Sequence, residues 1–171
     1  MKTIASLLDA EQYDECRTLL AEYTEAIREP QVNRYCQNAV IDAVLAIYIR
    51  RAESKKIRVS FGFAFPDVIP VNENELATAI ANALENAINA SEQLSEEKRY
   101  IDIKVLDHPR FMIQIANSYE GVVEFDDDGI PVNRQEDHGF GTRFIATFCE
   151  KNNGFYQFKT ANGKFTLYMN F

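Results

Sequence analysis

Between residues 73 and 93 the chain repeats carboxamides at helical spacing: Asn82, Asn86, Asn89 and Gln93. At 100° per residue they fall within about 60° of one another, opposite Leu76, Ile80, Leu84, Ala87 and Ser91. Asn is a poor helix former, because its side chain competes for backbone hydrogen bonds. A face that needed only solvation would draw on Glu, Lys or Arg. An amide row offers two chemistries instead. The carboxamide oxygen is a hard, neutral ligand suited to Mg²⁺, and the NH₂ donates to phosphate oxygens. The row therefore reads as a binding wall, with a plain polar face as the bland alternative.

A second candidate is the turn His138-Gly139-Phe140-Gly141-Thr142, which lies between a long polar loop and a helix. Glycines there let backbone N–H groups approach an anion, and the helix N-terminus adds its dipole. Many such turns carry Gly for conformation alone. The pattern is neither the dinucleotide fingerprint nor a P-loop. Glu124, Asp126, Asp128 and Gly129 imitate a calcium loop. The first ligand position lacks Asp, and Gln135 stands where the bidentate Glu belongs, so a solvated acidic lid is the better reading. No Ser-His-Asp or Cys-His order stands out.

The elements that must position these residues follow from periodicity. Residues 1–54 read as helical: a short helix ending near Ala10, a second over 11–28, and a third over 35–53. The second is stopped by Pro30 and carries an a/d-like seam of Tyr13, Cys16, Leu20, Tyr23 and Ile27. That seam suits a bundle shared between two chains, with packing on its own domain as the alternative. The third helix is apolar nearly all round and is expected to be buried on more than one side. Ile57, Val59, Phe61 and Phe63 alternate as a strand. Asn72 or Asn74 caps the amide helix, with Glu73 and Glu75 in its first turn. Two strands follow, 100–106 and 111–117, joined by a hairpin at 107–110 that holds His108, read as a surface residue. Residues 118–139 have loop composition, long enough to be a lid. A helix over 142–151 and strands over 155–159 and 165–171 complete the chain. The expected fold is an α/β two-layer sandwich, a mixed and largely antiparallel sheet with helices on one face, preceded by a helical arm. The domain division is 1–31 for the arm and 32–171 for the sandwich.

The 171 residues are 46% apolar and 26% charged, as in ordinary globular domains. A net charge of −8 argues against nucleic acid and anionic membrane surfaces, since no basic stripe interrupts it. Cys16, Cys36 and Cys149 are odd in number and widely spaced, so neither a disulfide framework nor a zinc site follows from them, and a reducing, cytoplasmic setting fits best. No apolar run reaches membrane-spanning length. A membrane link would have to come from a segment outside these residues.

In this order, the two motifs resemble the ATP-binding (Bergerat) domain of the GHKL ATPases, the group of gyrase, MutL and the sensor histidine kinases. Residues 75–87 (ELATAIANALENA) look like the kinase N box. Gln37-Asn38-Ala39-Val40-Ile41-Asp42-Ala43-Val44-Leu45, Ile115-Ala116-Asn117-Ser118-Tyr119, Gly129-Ile130-Pro131 and His138-Gly139-Phe140-Gly141 resemble, in collinear order, the accessory-gene-regulator and citrate type of sensor kinase. The likeness covers roughly residues 37–171.

The resemblance implies ATP and Mg²⁺ as cofactors. Asn86 falls at the Mg²⁺-ligating position. Asn82 falls one turn earlier near the phosphates, where the ATPases place a water-activating Glu, so hydrolysis is expected to be poor and phosphotransfer favoured. These two are the catalytic candidates. Asn117 stands at the adenine-reading position, normally Asp. Gly139, Phe140 and Gly141 form the phosphate-wrapping turn under a mobile lid, with His138 and Thr142 beside it. Asn89 replaces a phosphate-binding Lys. Arg143 is either the compensating cation or a solvated helix residue. Asp137 replaces the turn's first glycine.

The segment Leu7-Leu8-Asp9-Ala10-Glu11-Gln12-Tyr13 resembles the stretch just after the family's phosphoacceptor histidine, which implies a catalytic piece truncated within its dimerisation bundle. The expected activity is histidine kinase. The expected partners are ATP, a second copy through the N-terminal helices, and a response regulator, in the quorum-sensing class of two-component systems. Two rivals remain: a GHKL-like regulator that no longer needs nucleotide and sequesters a partner, and a serine kinase of the anti-sigma-factor type.

Overall fold

In a computed structural model of the chain, residues 34–62, 65–132 and 140–171 are described. The two arm helices, the 1–31 boundary, His138 and Gly139 lie outside them.

Helix α1 spans Ala39–Ser54. Its start is written in the side chains before it. Asn38 Oδ1 accepts from the backbone N–H of Val40 at 3.0 Å and of Ile41 at 3.1 Å. This N-cap relieves two of the helix's orphan donors. One turn in, Asp42 Oδ1 accepts from the N–H of Tyr35 at 2.8 Å and of Cys36 at 3.1 Å, tying down the incoming chain. Ile41, Val44, Leu45, Tyr48, Ile49 and Ala52 are buried. Val40 is exposed and Ile47 only partly covered, yet Ala43 is buried on the side opposite Leu45 and Ala52, so α1 is covered on more than one side, as expected.

A five-stranded sheet has the order β1-β2-β3-β7-β6, with β1 at Arg58–Gly62, β2 at Tyr100–Leu106, β3 at Met112–Ser118, β6 at Phe155–Ala161 and β7 at Lys164–Asn170. Only β1–β2 is parallel; the other pairs are antiparallel. The mixed, largely antiparallel sheet is as expected. The register aligns one face into rows. Phe61, Ile103, Ile115, Leu167 and Phe158 form one row, and Val59, Ile101, Asn117, Phe165 and Thr160 the next. The first row is core. In the second row one polar residue, Asn117, stands between Ile101 and Phe165.

Helix α2, Glu73–Glu92, lies over β2 and β3 and packs against α1 and against helix α3, Phe140–Lys151. Asn72 is its cap, with Oδ1 accepting from Glu75 N–H at 3.0 Å. Ion pairs hold both neighbours: Arg51–Glu85 (2.6 Å) and Lys55–Glu92 from α1 and its cap, and Lys151–Glu75 (2.6 Å) from α3. Exposed pairs of this kind contribute at most about 1 kcal/mol each, so they fix orientation more than they stabilise. α3 opens two residues earlier than the sequence suggests, and β6 runs two residues further.

Residues 118–139 are not structureless throughout. A short ribbon pairs β4, Glu124–Phe125, with β5, Pro131–Val132. Asp126 builds its turn: Oδ1 accepts from Asp128 N–H at 3.1 Å and Ile130 N–H at 2.8 Å. Gly129 supplies the left-handed residue at φ +74°. The acidic run that imitates a calcium loop is therefore occupied in part with its own turn.

Candidate functional site

Between α2, the sheet and the ribbon lies a cavity of about 340 Å³. Its floor is apolar, formed by Ile115, Phe158, Phe165 and Leu167, with the amide of Asn117 set into it. The α2 wall presents Asn86 and Asn89, with the small Ala83 and Ala90 beside Asn86, and Gln93. α3 contributes Thr142 and Ile145. The roof is the segment Tyr119, Glu120, Val122 and Val123 with Pro131 and Val132 of the ribbon. Val122 is 92% exposed, an apolar side chain held at the cavity mouth.

Of the four stripe amides, three line the cavity and one does not. Asn82 is 7% exposed and sits against the start of α3, where a Cβ at Gly141 would lie 3.4 Å from its Oδ1. A simple solvated face is therefore not what the stripe is. Asn117 is buried at 3% exposure and donates through Nδ2 to the Ser118 carbonyl at 2.9 Å. Thr142 is buried. Phe140 opens α3. Arg143 does not point to a separate site of its own: its Nη2 donates to Asp126 Oδ2 at 3.1 Å. The ribbon turn is also met by Tyr156, whose hydroxyl donates to the Asp128 carbonyl at 3.4 Å, while Ile130 is buried in the core. His108 stands 91% exposed in the β2–β3 hairpin, beside Asp107.

The charge pattern of the lining matters. Among the described residues it holds Glu120 and no Lys or Arg. Nor do the described residues bring three or more His, Cys, Asp or Glu together as a metal cage. A divalent ion here would be held by an amide oxygen and by its own ligand's phosphates. That donor set fits Mg²⁺, which keeps several waters and binds through few protein groups. The flat apolar floor with one buried amide fits the face and edge of a heteroaromatic base.

Sequence reasoning did not find the apolar half of the site. Phe158, Phe165 and Leu167 alternate like any core strand, and only the register shows that they lie in the two adjoining rows around Asn117, on the cavity floor. Tyr119, Val122, Val123 and Val132 carry no periodic signal at all.

This architecture, a mixed sheet under helices with an amide-walled cavity beneath a lid, is that of a GHKL domain. The GHKL domain family matches residues 71–171, and the chain belongs to it. Two curated relatives are sensor proteins: the sensor histidine kinase CitA of Klebsiella pneumoniae, 26% identical over 90% of this chain, and the sensor protein DegM of Bacillus sp., 25% identical over 91%. The chain spans 30% of the first and 42% of the second. Among solved structures, the catalytic domain of histidine kinase ThkA superposes with a TM-score of 0.64 at 16% identity, covering 80% of this chain and 93% of that one. Full-length ShkA in complex with AMPPNP gives 0.58 at 15% identity, covering 88% and 34%. These likenesses bear out the Bergerat sandwich.

Proposed function

We propose that the chain is the ATP-binding catalytic domain of a two-component sensor histidine kinase, a phosphotransferase that uses ATP and Mg²⁺. The observation that carries this reading is the cavity in which Asn86, Asn89 and Asn117 meet over an apolar floor. In this reading the base lies on Phe165 and Leu167 with its edge at Asn117. The phosphates run along the α2 amides towards Asn82, the N-terminus of α3 and the residues His138 and Gly139 that precede it in sequence. Asn86 holds the metal, which would neutralise phosphate charge that the lining itself does not offset. Asn82 sits where a hydrolytic ATPase needs a carboxylate. A neutral amide cannot take a proton from water, so the site favours delivery of the γ-phosphoryl to a partner over hydrolysis. The protein's part is positioning and electrostatic stabilisation.

The acceptor is a histidine of the dimerisation helix in the longer protein, with a second copy joined through those helices and a response regulator downstream. In this reading His108 is not the acceptor, since it stands in an exposed hairpin of the catalytic domain and not on a dimerisation helix. No described helix is long and apolar enough to cross a membrane. In this reading the domain works on the cytoplasmic side of a membrane-anchored sensor, whose anchor is a separate segment.

The test is phosphotransfer from radiolabelled ATP·Mg²⁺ to a separately supplied dimerisation helix carrying the acceptor histidine. Acid-labile, base-stable label on that helix supports the proposal. Acid-stable label on serine of a partner would instead favour the serine-kinase class, and nucleotide-independent partner capture would favour the regulator.

A further inference from the structure

Tyr119 and Glu120 have a cavity on either side. One is the amide-walled cavity already described. The other, of about 600 Å³, lies where the ends of β1, β2 and β3 meet the turn between β6 and β7. Its volume is that of a small-molecule site. The two differ in charge. The first has no Lys or Arg in its described lining, whereas the second sets Arg58 and Lys98 against the single acid Glu120. That balance runs against a chain of net charge −8.

Backbone contacts place both cations. The Arg58 N–H donates to the Arg99 carbonyl at 3.2 Å, and its Nη2 donates to the Glu97 carbonyl at 3.1 Å. The guanidinium is thereby drawn to the 3₁₀ turn Glu96–Lys98, which Lys98 closes through its N–H on the Ser95 carbonyl at 2.9 Å. Arg51, Lys55, Lys104, Arg143 and Lys151 all have carboxylate partners. Among the described residues Arg58 and Lys98 have none, and each keeps N–H donors for a ligand. A guanidinium beside an ammonium is suited to a phosphate group. The remaining wall is flat and partly apolar. Tyr100 and Tyr119 line it. Tyr119 is fixed there, because its N–H donates to the Gly163 carbonyl at 3.0 Å and its ring stands edge-on to Phe165 at 6.4 Å.

We infer that this second cavity binds a small phosphomonoester, with the phosphate at Arg58 and Lys98 and a flat apolar body along Tyr119 and Tyr100. The site is separate from the nucleotide cavity and shares with it only the Tyr119–Glu120 wall.

Amide ¹H–¹⁵N shifts of the folded chain, titrated with phenyl phosphate in the absence of Mg²⁺, test this. Saturable shifts are expected at Lys98, Tyr100, Gly121 and Gly163, with a dissociation constant on the order of 1 mM, ordinary for so small a ligand. Inorganic phosphate, which lacks the ring, is expected to bind about tenfold more weakly, and phenol, which lacks the charge, to show no saturation. Arg58→Gln combined with Lys98→Gln should weaken phenyl phosphate by roughly tenfold or more. Both positions are exposed. Lys98→Gln alone, which removes no contact within the chain, should weaken it about threefold and carries the test should the double variant fail to fold. Saturable shifts at Asn86, Asn89 and Thr142 instead would put the probe in the nucleotide cavity and overturn the inference. Shifts that never saturate, or that survive the substitutions, would overturn it too. Equal affinity for inorganic phosphate would overturn the ligand class. None of these outcomes depends on ATP binding, so a failure of the nucleotide reading would be seen separately.

Discussion

Gly141 lies over the Asn82 amide so closely that a methyl group at 141 would sit 3.4 Å from Asn82 Oδ1. The contact joins the centre of α2 to the first turn of α3, so one residue of the amide stripe lies against the helix that Gly141 helps to open. Because residue 141 is helical, Gly141→Ala should favour α3 by roughly 0.5–1 kcal/mol. The same methyl covers Asn82 and keeps phosphate away from the helix start. The expected outcome is an unchanged or raised melting temperature with ATP affinity reduced several-fold. A loss of both together would mean that the glycine is needed for folding alone.

Asp126 uses its two oxygens differently: Oδ1 builds the ribbon turn, and Oδ2 accepts from Arg143. Asp126→Asn retains an acceptor for the turn and releases the guanidinium. If Arg143 supplies the positive charge missing from the cavity lining, that variant should bind ATP about two- to fivefold more tightly, the scale of an exposed ion pair. Arg143→Ala should bind more weakly. Calorimetry on the two variants checks both. Equal affinities would mean that Arg143 only fastens the ribbon.

Asn38 and Asp42 belong to a stretch that resembles a kinase motif, yet their partners are backbone N–H groups at the entry to α1. Asn38→Ala should cost about 1 kcal/mol of stability through loss of the cap. Asp42→Ala removes the acceptor that two backbone N–H donors share and should cost about 1–3 kcal/mol. Denaturant melts give the loss; the affinity for ATP at a temperature where both variants are folded should stay at the wild-type value.

Burial pushes the Cys149 thiol up to about 12, with Glu150 nearby adding to it, and burial likewise raises Cys36. Both are therefore protonated and covered at neutral pH, whereas alkylation requires an exposed thiolate. Iodoacetamide at pH 8 should leave Cys36 and Cys149 unmodified in the folded chain and label both in denaturant, as read by peptide mass spectrometry. Rapid labelling of either in the folded chain would contradict the packing.

What was legible in the sequence was what repeats or caps. The stripe Asn82, Asn86, Asn89 and Gln93 has helical period, Asn72 and Glu75 mark the start of that helix, and the sheet strands alternate. Less legible was anything decided by long-range register. Phe165 reads as core, and only its pairing with Asn117 across β3 and β7 places it on the cavity floor. The ribbon was hidden because its strands are two residues long and its order comes from the Asp126 side chain rather than from periodicity. The nearly all-round apolar pattern of α1 pointed to burial on more than one side, but not to the position left out: Val40 is exposed, since composition does not say which neighbours a helix has.

The central claim is a nucleotide site in which Asn86 holds the metal. Calorimetric titration of ATP with and without Mg²⁺, into the wild-type chain and into Asn86→Ala, tests it most directly. The account predicts binding that depends on Mg²⁺ and falls by roughly tenfold or more in the variant, the scale of one lost ligand contact in a charged site. No binding at millimolar ATP, or binding indifferent to both Mg²⁺ and the substitution, would contradict it.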